Sequence, residues 1–258
     1  MPALIFDCDG VLADTEKDGH LPAFNAAFAE AGMPISWSES EYAEKVKIGG
    51  GKERIASVFT PELDAQIGLS TDVERADWIK QLHLRKTALF TQRVADGLLP
   101  GRPGIRRVIG DALAAGWTVA VASTSAEASV RAVLEHAAGE ASYARIQVFA
   151  GDVVKAKKPA PDIYLKVLED LRLDPAECVV VEDSGIGVAA AVAAGLTTVV
   201  TVSAFSAEDD FTGAALVLSD LGEPDAPPTV IATPAGLAPE GCLTLADLTA
   251  LIAKEHTR

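Results

Sequence analysis

The chain has 258 residues, 49% of them apolar and 23% charged, a composition that can bury enough surface to offset its ordering cost. Lys and Arg total 22 against 37 Asp and Glu, a formal charge of -15, which disfavours nucleic acid or an anionic membrane as a partner. An anionic ligand would need a local cluster of cations or a metal to overcome that field. The three cysteines, Cys8, Cys178 and Cys242, are odd in number, and two lie in or beside apolar runs, which predicts a reducing compartment without a disulfide framework. No apolar run approaches the ~20 residues of a membrane span. No signal peptide is read at the start, which fits either a cytosolic protein or a mature form cut from an organellar precursor.

In chain order, Pro2–Gly10 is a short apolar run ending in two acids and a glycine, as expected of a strand buried on both faces of a parallel sheet. Similar runs recur at Trp117–Ala122, Ile146–Ala150, Cys178–Val181 and Thr198–Val202. Helical periodicity separates them: Ile105, Val108, Ile109, Ala112 and Leu113, then Val130, Val133 and Leu134, then Ile163, Val167, Leu168 and Leu171. Alternation of strand and helix predicts a doubly wound, mainly parallel, Rossmann-like α/β sheet.

Residues 16–97 break that rhythm. Leu21, Phe24, Phe28 and Ala31 mark one amphipathic helix, stopped by Gly32 and Pro34, and further helices are expected at Glu39–Lys47, Lys52–Phe59 and Val73–Val94. An inserted all-helical lobe is therefore predicted at 16–97, with 1–15 and 98–258 forming the α/β core and Gly97–Gly104 the return hinge. Prolines interrupt the region after Ser203, a final helix is expected near Leu245–Lys254, and no chemistry is assigned there.

Ligands of a doubly wound sheet bind at the carboxyl ends of its strands, and reactive residues gather at four of them. Asp7 and Asp9, followed by the turn glycine Gly10, can share a cation, although Asp-x-Asp-Gly alone is also an ordinary turn. Ser123, Thr124 and Ser125 open a helix; Ser125 reads as its N-cap and Ser123 as a phosphate-binding hydroxyl. In Lys155–Asp162, Lys155 and Lys157 read as solvated, whereas Lys158, ahead of Pro159 and Pro161, sits in a rigid turn able to aim one ammonium at an anion. Glu182 and Asp183 are adjacent carboxylates at a strand mouth, a costly pair that a hard, oxygen-ligated ion such as Mg2+ would relieve. A glycine run, Gly49-Gly50-Gly51, opening a helix at Lys52 with Arg54 one turn on, reads as a second anion site, or else as a flexible hinge.

In this order the motifs resemble those of the haloacid dehalogenase-like hydrolase superfamily, over essentially the whole chain to about residue 220. The resemblance implies Asp7 as nucleophile, Asp9 as acid/base, Ser123 and Lys158 as phosphate-directed groups, and Mg2+ on Asp7, the Asp9 carbonyl and Asp183, with Glu182 supporting the metal's water shell. It makes the helical insertion a cap that closes over substrate. Asp14–His20, Lys47–Arg54 and Phe149–Val154 are similar to the CbbY-type phosphatases of plants and algae, which hydrolyse xylulose-1,5-bisphosphate, an inhibitor of Rubisco. Val11 departs from the Thr of many superfamily relatives. The resemblance implies Glu16, His20, Gly50, Gly51, Lys52, Arg54, Lys86 and Thr124 as substrate-binding residues. It also implies a small phosphorylated sugar as partner, a monomer, and the chloroplast stroma or a bacterial cytoplasm as setting. A phosphosugar mutase of the β-phosphoglucomutase type, a phosphatase of another sugar phosphate and a non-enzymatic phospho-accepting signalling domain are the competing readings.

Overall fold

The structure is a computed structural model that describes residues 1–48 and 50–255. The chain forms two compact units, one of residues 1–14 and 99–258, the other of residues 15–98. The first holds a seven-stranded sheet: β1 (Ala3–Phe6), β2 (Thr118–Ser123), β3 (Gln147–Ala150), β4 (Cys178–Glu182), β5 (Thr197–Thr201), β6 (Leu216–Leu218) and β7 (Val230–Ala232). Their order is β3-β2-β1-β4-β5-β6-β7, parallel throughout except for the antiparallel edge strand β7.

The other unit is helical among its described residues. It opens with a π-turn at Thr15–His20 and continues through α1 (Leu21–Glu30), α2 (Glu39–Val46), α3 (Gly51–Ala56), α4 (Pro61–Ile67) and α5 (Asp72–Ala95). Side-chain caps start α2, α4 and α5: Ser38 and Thr71 form capping boxes with Glu41 and Glu74, and Thr60 accepts from the Leu63 N–H. An aromatic core of Phe24, Phe28, Trp37 and Tyr42 holds α1 against α2. Helix α4 escaped the periodicity reading because it is only seven residues long. Thr60-Pro61, an N-cap followed by proline, was the available signal.

The helices of the sheet unit are α6 (Ile105–Ala114), α7 (Glu127–Ala138), α8 (Glu140–Tyr143), α9 (Asp162–Leu171), α10 (Gly185–Ala193) and α11 (Leu245–Glu255). Alternation along the strands explains the layering: Ala3 and Ile5, Ala120 and Ala122, and Cys178 and Val180 share one face and pack with Ile163, Tyr164 and Val167 of α9 and Ala190 and Ala191 of α10. The fully buried Leu4, Phe6, Val119, Val121, Val179 and Val181 point to the opposite face. Strands β6 and β7 fall where no strand was expected. At three residues each they are too short to show a period, and Val230 and Ile231 of β7 are exposed.

The sheet order places β1 between β2 and β4, so the winding reverses at β1 and opens a crevice at the carboxyl ends of β1 and β4. Phe6 is in register with Val181, and the Asp7 N–H donates to the Val181 carbonyl at 3.0 Å. Asp7 and Glu182 are thereby level at that crevice. Among the described residues no helix is long and apolar enough to cross a membrane. Truncating the fully buried Ile5 to Ala should cost about 2–5 kcal/mol, read as a lower urea midpoint with an unchanged denaturant slope.

Candidate active site

Lys158 is the centre of the crevice. Its Nζ donates to Asp7 Oδ1 at 2.6 Å, to Glu182 Oε1 at 2.6 Å and to the Ala122 carbonyl at 3.1 Å, which uses all three ammonium donors. The Lys158 side chain is 6% exposed, and the turn that carries it is fixed by Pro159 and by Pro161 at the N-cap of α9. Burial works against the ammonium, but Asp7 and Glu182 overcome it and hold its pKa well above the usual lysine range.

The acids show the reverse balance. Burial raises Asp7 to about 7, with Glu182 and Asp9 adding repulsion that Lys158 only partly cancels. Burial, then Glu182 and Asp7, push Asp183 well above the carboxylate range, while the Ser203 hydroxyl and Arg102 pull it down. Asp7, Glu182 and Asp183 each offer an oxygen within 4.8 Å of the others. Three hard oxygen donors carrying uncompensated charge fit a divalent cation such as Mg2+.

Two glycines make this crowding possible. Gly10 takes φ +75°, and a methyl group there would overlap the Asp183 carboxylate. A methyl on Gly187, in the first turn of α10, would overlap the Glu182 carboxylate. The glycines of Asp-x-Asp-Gly and of the Glu-Asp-Ser-Gly-x-Gly stretch are therefore places where backbone approaches acid.

Ser123 ends β2 buried, with its Oγ accepting the Ser125 N–H at 3.2 Å, and Thr124 follows it half-buried. Ser125 requires a correction. The N-cap of α7 is Ala126, without a side-chain cap, and the Ser125 hydroxyl instead donates to Asp9 Oδ2. A cap needs its hydroxyl beside the N2 or N3 amide, and Ser125 lies one residue too early for α7, so its oxygen is free to turn toward the first strand's acid.

Lys155 and Lys157 are exposed, and Lys157 pairs with Asp152 at 3.2 Å. The residues expected to bind substrate in the helical unit fall into two groups. Lys86 is buried, its Nζ 2.9 Å from His20 Nδ1 and 4.5 Å from the Phe24 ring centroid. The Glu16 carboxylate takes two bonds from Arg54 Nη1, at 3.0 and 2.9 Å, and the Tyr42 hydroxyl at 2.5 Å. Arg54 also donates to the Ile48 and Val46 carbonyls, so it is engaged inside the unit, while Lys52 is exposed. Gly50, at φ +98°, is the N-cap of α3, and Gly51 abuts His83; Gly49 lies outside the described residues.

The sequence reading passed over Tyr164, Ser203, Arg102 and Tyr42. Tyr164 follows the apolar Ile163 in a helix whose period alone was read, and Tyr42 is a lone aromatic in a charged helix. Arg102 was absorbed into a Gly/Pro-rich hinge, yet it donates to the carbonyls of Gly10, Thr201, Val202 and Ser219.

A haloacid dehalogenase-like hydrolase family model matches residues 1–195. A CBBY-like protein of Arabidopsis thaliana is 46% identical over 222 residues, 86% of this chain and 70% of that protein. The plasmid-encoded CbbY of Cupriavidus necator is 45% identical over 228 residues, 88% of each chain. A crystal structure of a CbbY mutant from Rhodobacter sphaeroides, in complex with xylulose-(1,5)bisphosphate, superposes with a TM-score of 0.69 at 34% identity, covering 85% of this chain and 95% of that one.

Replacing Lys158 by Met should destabilise the protein by about 3–5 kcal/mol at neutral pH, because Asp7 and Glu182 lose their shared cation. An acid whose pKa is raised by folding costs stability as pH climbs from its unfolded to its folded value. Wild-type Asp7 already carries this cost up to about pH 7, and without Lys158 it would stay protonated to higher pH, so the variant's deficit in urea titrations should widen as pH rises above 7.

Proposed function

We propose, since the chain belongs to the haloacid dehalogenase-like hydrolase family and is a phosphatase within it, that it hydrolyses a small sugar phosphate through a phospho-aspartate on Asp7. The observation that carries this reading is the bond from Lys158 to Asp7 at the mouth of β1, beside a cation-ready cluster of Glu182 and Asp183. The Asp7 carboxylate attacks phosphorus while the sugar oxygen departs with a proton from Asp9. Asp9 then takes a proton from water, and that water cleaves the acyl phosphate to release inorganic phosphate and restore Asp7. The Ser125 hydroxyl holds the Asp9 carboxylate for both transfers. Lys158 sets positive charge beside the transferring group, with Ser123 and Thr124 supplying hydroxyls. Asp7, the Asp9 carbonyl and Asp183 are the groups to hold Mg2+, with Glu182 beside them supporting its water shell; when bound, the ion would neutralise phosphoryl charge.

The substrate assigned here is xylulose-1,5-bisphosphate, supported by the ligand of the Rhodobacter sphaeroides relative and by identities of 45–46% to CbbY-type proteins. A bisphosphate carries a second anion, and within the helical unit Lys86 beside His20, the exposed Lys52 and the glycines Gly50 and Gly51 are the groups we assign to an anion. A chloroplast stromal setting belongs to the same proposal and rests on the likeness to plant and algal members.

A panel of phosphate esters assayed with Mg2+ tests this reading, with the ketopentose bisphosphate expected to release phosphate fastest. Asp7→Asn should keep the fold and lose turnover by about a thousandfold or more, because an amide cannot attack phosphorus. An isomerised sugar phosphate as the main product, or activity near wild type in Asp7→Asn, would reject it. Metal binding should also depend on pH. With Asp7 near 7, protons compete for it at lower pH, so the Mg2+ concentration for half-saturation should rise about tenfold per unit below pH 7.

A further inference from the structure

Tyr164 lies on α9 with no exposed surface, among Ala122, Val180 and the other apolar residues of one sheet face. A phenol buried in such a layer is costly unless its hydroxyl finds a partner. Its partner is Glu182 Oε1 at 2.5 Å, the same oxygen that accepts Lys158 Nζ at 2.6 Å. The ring also faces the ammonium, its centroid 4.9 Å from Nζ. The second oxygen of Glu182 takes the Asp183 N–H at 3.1 Å and the Ser184 hydroxyl at 3.4 Å. Glu182, itself fully buried, is thus fixed by four donors on two sides.

We infer that Tyr164 is a positioning residue that acts through Glu182 to hold Lys158 on Asp7. Asp7 and Glu182 compete for one ammonium, and each lies 2.6 Å from it. A hydroxyl donated to Glu182 Oε1 satisfies part of that oxygen's demand and leaves more of the lysine's charge for Asp7 and the phosphoryl group. It also fixes where Oε1 sits, and hence where Nζ sits, since the ammonium has no spare donor with which to move.

The inference rests on the phospho-aspartate reading, and its test separates the two. The Tyr164→Phe enzyme keeps the ring and deletes only the hydroxyl. Assayed for phosphate release with Mg2+, it should lose about tenfold in kcat, with KM within twofold and the melting temperature within a few degrees of wild type. In a Glu182→Gln background the same change should cost less than twofold, because the group through which it acts is already altered. A kcat within twofold of wild type, or an equal loss in both backgrounds, would overturn the role of Tyr164 while leaving the phospho-aspartate reading intact. Undiminished activity in Asp7→Asn would instead remove the reading on which the inference stands.

Discussion

One ammonium group between two buried carboxylates organises this protein. Lys158 sits 2.6 Å from both Asp7 and Glu182. Removing charged groups from water costs several kcal/mol each, so such an arrangement persists only where every donor and acceptor is met. The site obeys that constraint. The lysine's third donor meets Ala122, the spare positions of Glu182 meet Tyr164, Asp183 and Ser184, and Asp183 is met by Ser203. The parallel sheet makes this affordable in geometric terms, because its register delivers the end of β1 level with the end of β4 before any side chain is placed.

The charges still do not balance: Asp7, Asp9, Glu182 and Asp183 face one lysine at close range. The elevated pKa values of Asp7 and Asp183 measure that imbalance, which burial creates and neighbouring acids deepen. A chain of net charge -15 that handles phosphate esters needs positive charge where the phosphate arrives. A divalent ion held beside Asp7 and Asp183 would supply it, and the imbalance is what would draw the ion in. The same logic explains Gly10 and Gly187, where side chains would otherwise separate backbone from carboxylate and loosen the cluster.

In the helical unit, charge is used differently. Arg54 and Glu16 close on each other with Tyr42 and brace the start of the unit against α2 and α3. Lys86, by contrast, meets a histidine and two aromatic faces, Phe24 and Phe90.

Five of the six parallel strands, β1 to β5, and the reactive residues beside them were legible without coordinates. Apolar runs bounded by turns report local burial, and Asp-x-Asp-Gly, Ser123, Lys158 and Glu182-Asp183 stand beside those runs in the sequence. The longer helices were legible too, since their period is written over ten residues or more. Strands β6 and β7, at three residues, carry too little pattern to be seen. Ser125 looked like a helix cap because capping is a local property, whereas its bond to Asp9 joins residues 116 apart in sequence. Tyr164 was passed over for the same reason: periodicity tells which side of a helix faces inward, but not that a carboxylate waits there. Pairings across the sheet depend on which strand lies beside which, and only the assembled fold sets that.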